Sequence, residues 1–344
     1  MLAHYDAVIV GAGPAGAVAA TLLARANKRV LVVDPMQHTN HLIGESLPAS
    51  AVYLLNQLDL PSPEHGNEHC KISGIRSLWG EHDLVQDALS TPGGLGWRLN
   101  RQHFNQSLRD AAQDEGVMFL KAKCQDVKRL EKAYSITTSD NSISASLVID
   151  ATGRSAIVAK KMGAKQVFDE PLIACWSVGD ICVDSGLPNL GHTLIESTEM
   201  GWWYGAVLPN RKPLVAFHTS PEYASVLSKS FDDFLSELSS TNLLSGPFSN
   251  DCFTQTGPSQ SIGVNRSDAR GSQLDQVCDQ DWYAVGDAAL SFNPLASYGL
   301  HNSIATAAEA VKRYLNNDPK TYQLKVDQIR AKYLQQLSFH QQIQ

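Results

Sequence analysis

The residues with the clearest chemistry lie in a glycine-rich turn close to the amino terminus, residues 11–16 (GAGPAG). The turn follows an apolar run and precedes an alanine-rich segment, as in a strand–turn–helix unit. In such a unit Gly11 permits a tight turn, Gly13 lets the backbone approach a pyrophosphate, and Gly16 lets helix and strand pack closely. The helix N-terminus then faces the phosphate charge. This spacing predicts a dinucleotide-binding site.

An acidic residue, Asp34, ends the next apolar run, residues 31–34 (LVVD). At the end of a second strand, its carboxylate is placed to accept hydrogen bonds from a ribose. The alternative is that the turn is a glycine-rich loop without function, since the GxGxxG pattern alone is weak evidence. The strand, the helix and the acid that surround the turn favour the dinucleotide site.

Two later segments also place small and polar residues at the ends of apolar strands. One strand runs into a small-residue turn at residues 150–155 (DATGRS). Another ends in the Gly-Asp pair at positions 286 and 287, and a proline loop leads from this pair to a helix near Gly299. By itself, the first of these two segments could be any β-turn. After a dinucleotide-binding unit, it resembles a segment of flavin oxidoreductases in which the backbone passes close to the cofactor.

The elements that position these groups follow from the apolar periodicity. Residues 6–34 form a β-α-β unit, whereas residues 165–275 contain several short β-like runs. The pattern predicts an α/β (α+β) fold in which a sheet-based domain is inserted into a Rossmann-like domain. The predicted helices are 17–26, 50–58, 101–116, 231–238, 302–315 and 321–337. The predicted strands include 71–80, 94–99, 173–178, 193–197, 202–208 and 214–219. The first domain takes residues 1–69, 101–164 and 276–344, and the second takes 70–100 and 165–275.

Composition narrows the class of protein. The chain has 344 residues, 43% of them hydrophobic, and a net charge of -7, so a nucleic-acid-binding surface is not expected. The amino terminus shows no secretory signal and no membrane span, which predicts a cytoplasmic protein. The six cysteines are scattered singly, so neither a metal site nor a dithiol redox pair is indicated.

Together, the three segments resemble those of the aromatic-hydroxylase superfamily of FAD monooxygenases, which includes flavin-dependent halogenases and geranylgeranyl reductases. The resemblance covers nearly the whole chain. It implies a Rossmann-like FAD-binding domain of the glutathione-reductase type, with an inserted β-sheet substrate domain over the flavin. The FAD contacts that we predict on this basis are Gly11, Gly13, Pro14, Ala15, Gly16, Asp34, Ser46, Arg101, Gly153, Gly286, Asp287, Pro294, Gly299 and Leu300.

Narrower motifs point to one branch of this superfamily. These are residues 44–48 (GESLP), 76–80 (RSLWG), 96–101 (GWRLNR) and 201–209 (GWWYGAVLP). The set looks like the maturation flavoproteins of lysine ε-oxidase and glycine oxidase, which carry a cysteine tryptophylquinone. The resemblance implies that the partner is a precursor oxidase, and that the flavoprotein hydroxylates a Trp side chain of this precursor.

The resemblance also implies a mechanism. Reduced FAD would react with O2 to give a C4a-hydroperoxide that attacks an electron-rich ring, with NAD(P)H or another reductant as electron donor. Glu45 is the candidate for orienting substrate or flavin; the alternative is an exposed loop carboxylate. Because neighbouring strand residues point to opposite faces, either Trp202 and Tyr204 or Trp203 alone face the site. Trp203 is the second candidate catalytic residue.

Other functions remain open at this stage. A flavin-dependent halogenase is one, because Lys71 lies eight residues before Trp79, as in the halogen-relay lysine motif. We expect Lys71 instead to be a solvated strand residue, because the surrounding residues differ. A small-molecule aromatic hydroxylase and a non-catalytic flavin-bearing chaperone are further alternatives. A geranylgeranyl-type reductase would need a long apolar tunnel, and the second domain is not markedly apolar.

Overall fold

The computed structural model describes residues 3–36, 43–180, 191–253 and 263–341, with side chains described as far as residue 335. The strands within these residues are β1 (Ala3–Val10), β2 (Val30–Asp34), β3 (Ser46–Leu47), β4 (Cys70–Lys71), β5 (Gly74–Trp79), β6 (His82–Asp87), β7 (Trp97–Arg98), β8 (Met118–Lys121), β9 (Cys124–Arg129), β10 (Tyr134–Thr138), β11 (Ser142–Asp150), β12 (Gln166–Phe168), β13 (Ile173–Val178), β14 (His192–Thr198), β15 (Gly201–Val207), β16 (Pro213–Thr219), β17 (Asn265–Asp268), β18 (Ser272–Leu274), β19 (Trp282–Ala284) and β20 (Leu290–Ser291). The α-helices are α1 (Pro14–Arg25), α2 (Ala49–Gln57), α3 (Arg101–Asp114), α4 (Ile157–Lys161), α5 (Pro221–Leu227), α6 (Phe231–Ser239), α7 (Gly299–Leu315) and α8 (Pro319–Gln341).

The first sheet has a parallel centre in the order β8-β2-β1-β11. The first half of β11 pairs with β10 in antiparallel fashion, and its second half pairs in parallel with β19. The apolar run of residues 7–10 is buried because helices cover this sheet, and α1 packs on both α3 and α7. The carboxyl ends of β1, β2, β11 and β19 therefore meet at one edge.

The second sheet follows the order β17-β13-β16-β15-β14-β5-β6. One of its faces packs on α5 and α6 through a cluster of buried side chains that includes Trp203, Phe217 and Phe234. The opposite face turns toward the first domain. Both β5 and β6 join this sheet from an early part of the chain, whereas β7 pairs with β3 and β4 in a separate small sheet. The assignment of residues 70–100 to the second domain stays a prediction.

The predicted helices and strands differ from the observed ones where tertiary contacts or helix capping determine where an element begins or ends. The first helix begins at Pro14, three residues before the predicted start, because proline suits the first turn of a helix. The predicted strand at 94–99 is reduced to β7. Helix α5 was not predicted. It has Ser220 as its N-cap, whose hydroxyl accepts a hydrogen bond from the Tyr223 N–H, and Pro221 in its first turn.

Candidate functional site

The glycine-rich turn lies at the carboxyl edge of the first sheet, held by backbone hydrogen bonds from neighbouring strands. The Gly11 N–H donates to the Val33 carbonyl at 2.9 Å, and the Ala151 N–H donates to the Val10 carbonyl at 2.8 Å. The Val285 N–H donates to the Asp150 carbonyl, also at 2.9 Å. The three segments singled out in the sequence therefore lie side by side, although they are far apart along the chain.

The glycines of the turn have different structural requirements. Gly11 has a φ of +109°, and a β carbon there would lie 2.2 Å from the Ala151 carbonyl oxygen. A β carbon on Gly16 would lie 2.0 Å from the Gly11 carbonyl oxygen. At Gly13, by contrast, a β carbon would meet no described atom within 4 Å. Gly11 and Gly16 are thus needed for packing within the protein, whereas Gly13 faces open space.

Asp34 holds the turn from the end of β2. One of its carboxylate oxygens accepts the Ala12 N–H at 2.8 Å, and the other accepts the Met36 N–H at 2.6 Å. Because a carboxylate has about four acceptor positions, this leaves capacity for the hydroxyls of a ribose.

A cavity of about 480 Å³ separates the glycine-rich turn from the second sheet. Its walls come from the strand ends of the first domain, the loop before β3, and one face of β13, β15, β16 and β17. Of the residues predicted from the sequence, those that line it are Gly13, Pro14, Ala15, Glu45, Ser46, Arg101, Gly153, Asp287, Pro294, Gly299 and Leu300.

The other predicted residues lie outside the cavity wall. Gly11 and Gly16 shape the turn from behind, and Asp34 holds it at the end of β2. Gly286 has a φ of +60°, and a β carbon there would lie 3.0 Å from the Ala15 β carbon and 3.2 Å from Ser303 Oγ. These four positions are compatible with a role in shaping the cofactor site.

The prediction for Trp203 is wrong. Its side chain is buried in the cluster beneath α6, with its ring 5.1 Å from that of Phe234. Strand β15 instead turns Trp202 and Tyr204 toward the cavity. Because neighbouring residues of a strand point to opposite faces, either Trp203 or the pair Trp202 and Tyr204 had to face the cavity. The helices that cover the other face of the sheet bury Trp203, so Trp202 and Tyr204 face the cavity.

At one end of the cavity, Arg154 connects several loops. Its guanidinium lies 3.6 Å from the Asp287 carboxylate and donates to the carbonyls of Arg270 and Phe292 at 2.5 and 3.2 Å. Burial raises the pKa of Asp287, and the charges of Arg154 and Arg101 act in the opposite direction. A carboxylate in this position can accept hydrogen bonds from the hydroxyls of a ligand.

Glu45 is buried, not an exposed loop carboxylate. The Tyr204 hydroxyl donates a short hydrogen bond to it, and Arg98 Nη1 lies 3.2 Å from the same carboxylate oxygen. Arg98 also donates to the Tyr204 hydroxyl and to Thr193 Oγ1, each at 2.7 Å. Burial raises the pKa of Tyr204, so its hydroxyl stays protonated and can donate. This network ties the loop before β3 to the second sheet.

The sequence reasoning did not select Arg98 as a functional residue. It appeared only within a family motif, and its side chain is completely buried. An arginine in an otherwise apolar strand is the signal that could have identified it, because a buried charge requires a partner.

A further polar group on the sheet wall is His218. Its ring stacks on that of Trp202, with centroids 3.7 Å apart and planes 6° apart. Burial lowers the pKa of His218 to about 3, so the imidazole is neutral at physiological pH. Trp202 and His218 thus give this part of the sheet wall an aromatic and uncharged surface, whereas Asp268 on β17 brings a carboxylate to the cavity lining. His301, in the first turn of α7, has its ring centroid 5.9 Å from that of Tyr298 and is not among the residues that line the cavity.

A model of the FAD-binding domain family matches residues 4–313 of this chain. The chain belongs to the FAD-binding domain family. Its cofactor is FAD, and it is an FAD-dependent oxidoreductase of the superfamily that contains hydroxylases and halogenases. None of the described helices carries an apolar stretch long enough to cross a bilayer.

One relative in sequence and two solved structures are similar to this chain. The FAD-dependent oxidoreductase LodB of Marinomonas mediterranea is 29% identical in an alignment of 354 positions, gaps included, that covers 96% of this chain and 90% of LodB. The flavin-dependent brominase Bmp2 superposes with a TM-score of 0.77 at 18% identity, covering 99% of this chain and 90% of Bmp2. The peptidyl tryptophan dihydroxylase QhpG superposes with a TM-score of 0.72 at 21% identity, covering 96% of this chain and 73% of QhpG. At these identities the two solved structures establish the fold alone.

The geometry of this FAD-binding protein fits the cofactor. Gly13, Gly153 and Gly299 line the cavity, and a β carbon on any of them would meet no described atom within 4 Å. The backbone therefore leaves room at the turn, at the end of β11 and at the start of α7. The N-terminus of α1 would face the pyrophosphate, Asp34 a ribose and Asp287 the ribityl hydroxyls.

Proposed function

We propose that this protein is an FAD-dependent monooxygenase that hydroxylates a Trp side chain of a precursor oxidase during biogenesis of a cysteine tryptophylquinone. The observation that carries the proposal is the buried carboxylate of Glu45, which lines a cavity between the FAD-binding turn and an aromatic sheet wall. The fold is similar to that of QhpG, a peptidyl tryptophan dihydroxylase essential for tryptophylquinone cofactor biogenesis, and this similarity supports the same function.

Bound FAD supplies oxygen activation, and each turnover would consume one O2 and two electrons from NAD(P)H or another reductant. One oxygen atom enters the substrate ring, and the other leaves as water. The protein's residues position the ring and keep the site dry. Glu45 accepts a hydrogen bond from the indole N–H, while Trp202 and His218 form an uncharged wall beside the ring.

The position of lysines argues against a halogenase. No lysine lies among the described residues that line the cavity, and the segments outside the described residues contain no lysine in the sequence. Lys71 is exposed, and its ammonium lies 5.5 Å from the centre of the Trp97 ring, in a cation–π contact. Among the described residues, the cavity lining therefore has no counterpart of the halogen-relay lysine, which supports a hydroxylase over a halogenase.

We expect Lys71→Ala to leave the rate of substrate oxygenation within about twofold of the wild-type rate, because a surface cation–π contact contributes only about 0.5–1 kcal/mol. The measurement is the initial rate of product formation at saturating reductant. A loss of activity by Lys71→Ala, together with halide-dependent product formation by the wild type, would instead support a halogenase.

The proposed function is tested with the FAD-loaded protein, a reductant, O2 and a precursor oxidase whose Trp and Cys are unmodified. We expect mass spectrometry to find one or two added oxygen atoms on the precursor Trp, and only when flavoprotein and O2 are both present. Glu45→Gln should lower this rate by about 100-fold, because misplacing a ring near the reacting centre costs about that factor. Glu131→Gln, at an exposed turn, is the matched control.

Three other outcomes would contradict the proposal. Oxidation of a free aromatic compound, with an unchanged precursor, would indicate a small-molecule hydroxylase. Products that form only with added halide would indicate a halogenase. Stoichiometric binding of the precursor without consumption of O2 would indicate a flavin-bearing chaperone.

A further inference from the structure

On the second sheet, a small residue forms a notch between Tyr204, which lines the cavity, and Trp176, which is buried and is not among the lining residues. In the register of the sheet, Ala216 on β16 lies directly opposite Trp176 on β13 and directly opposite Tyr204 on β15. Directly paired residues of neighbouring antiparallel strands point to the same face, so Trp176 and Tyr204 flank a methyl group. Ala216 and Tyr204 both line the cavity.

The dimensions of this notch suit one flat ring. Strands lie about 4.8 Å apart, so the backbones that carry Trp176 and Tyr204 are about 10 Å apart across β16. At this register position, β16 contributes only the methyl group of Ala216 between them. The Ala216 methyl group forms the floor of the notch. Two further alanines extend this floor: Ala174, which pairs with His218, and Ala269 beyond β17.

The walls of the notch are held in place by hydrogen bonds. The Trp176 indole N–H donates to Ser267 Oγ at 3.1 Å. The Tyr204 hydroxyl is engaged by Glu45 and Arg98 on the opposite side. Because these polar groups are already satisfied, the floor presents apolar surface, and the Glu45 carboxylate beside Tyr204 offers a hydrogen-bond acceptor at one edge.

We propose that Ala216 is the specificity-determining residue of the substrate site. It forms the floor of a slot that takes a single flat aromatic ring of indole size, with a ring N–H directed to Glu45. This inference deepens the proposed function, on which it rests, because it assigns the substrate to the class of individual aromatic side chains. A larger side chain at position 216 would fill the slot without touching the FAD contacts predicted above.

The test uses 3-methylindole, which has the ring of a Trp side chain, as a binding probe for the FAD-loaded protein. Binding is followed as a change in the visible flavin spectrum. We expect Ala216→Leu to weaken binding by about tenfold or more, since small changes of fit in an apolar pocket alter binding by about that factor. Ala216→Ser, which keeps nearly the same volume, is the matched control and should bind the probe as the wild type does.

Bound FAD per protein shows whether each variant is folded. If Ala216→Leu loses FAD, Ala174→Val narrows the same floor by a smaller step and should weaken binding in the same direction. The inference is overturned if a folded Ala216→Leu or Ala174→Val variant binds 3-methylindole as tightly as the wild type does. It is also overturned if the wild type shows no saturable binding of 3-methylindole. If the precursor stays unmodified while the slot binds 3-methylindole, the proposed function is refuted, but the inference that the slot binds an aromatic ring still holds.

Discussion

Replacing Arg98 by methionine is expected to destabilise the folded protein by about 3–5 kcal/mol, because the buried carboxylate of Glu45 would then lose its salt-bridge partner. The side chains of Arg98 and Glu45 are 0% and 3% exposed. The substitution also removes the hydrogen bonds to the Tyr204 hydroxyl and to Thr193. The free energy of unfolding, measured by urea denaturation of the apoprotein, reports this loss.

Two further variants show whether the buried charge is the cause. Arg76→Met breaks a pair with Asp83 at 2.7 Å whose side chains are 49% and 44% exposed, so it should leave the free energy of unfolding nearly unchanged. The double variant Arg98→Met/Glu45→Leu removes both buried charges and should recover a large part of the stability. If Arg98→Met is no more destabilising than Arg76→Met, the buried pair is not important for stability.

The second large effect is expected from Gly11→Ala, which should prevent stable binding of FAD. At a φ of +109° a residue other than glycine costs about 1–3 kcal/mol. The new methyl group would also lie 2.2 Å from the Ala151 carbonyl oxygen, so the turn and the segment after β11 must move apart. Both the stability of the apoprotein and the FAD content after purification should fall.

Gly13→Ala distinguishes an effect on FAD binding from an effect on packing within the protein. No described atom lies within 4 Å of the new methyl group, so the free energy of unfolding of the apoprotein should be nearly unchanged. The group would occupy space proposed for the pyrophosphate, and FAD affinity should fall by about tenfold or more, equivalent to about 1.4 kcal/mol. Fluorescence titration of the apoprotein with FAD measures this. Wild-type affinity in Gly13→Ala would refute the proposed position of the pyrophosphate.

The FAD-binding part of this protein could be predicted from the sequence because its signals are local. A glycine that turns a strand into a helix, and an acid at the end of the next strand, are determined by backbone geometry within a few residues. The family match across residues 4–313 confirmed the FAD-binding assignment. The apolar runs also predicted most of the second sheet, since each strand needs its own alternation of side chains.

The substrate side of the cavity was decided by the tertiary structure. The alternation along β15 offered two faces, and only the packing of α6 on Trp203 turned Trp202 and Tyr204 toward the cavity. The pairing of Glu45 with Arg98 and Tyr204 joins residues that are 53 and 159 positions apart, a distance over which no local pattern operates. The burial that sets the neutral state of His218 likewise exists only once the sheet has folded against the first domain, because desolvation depends on neighbours that the chain brings together in space.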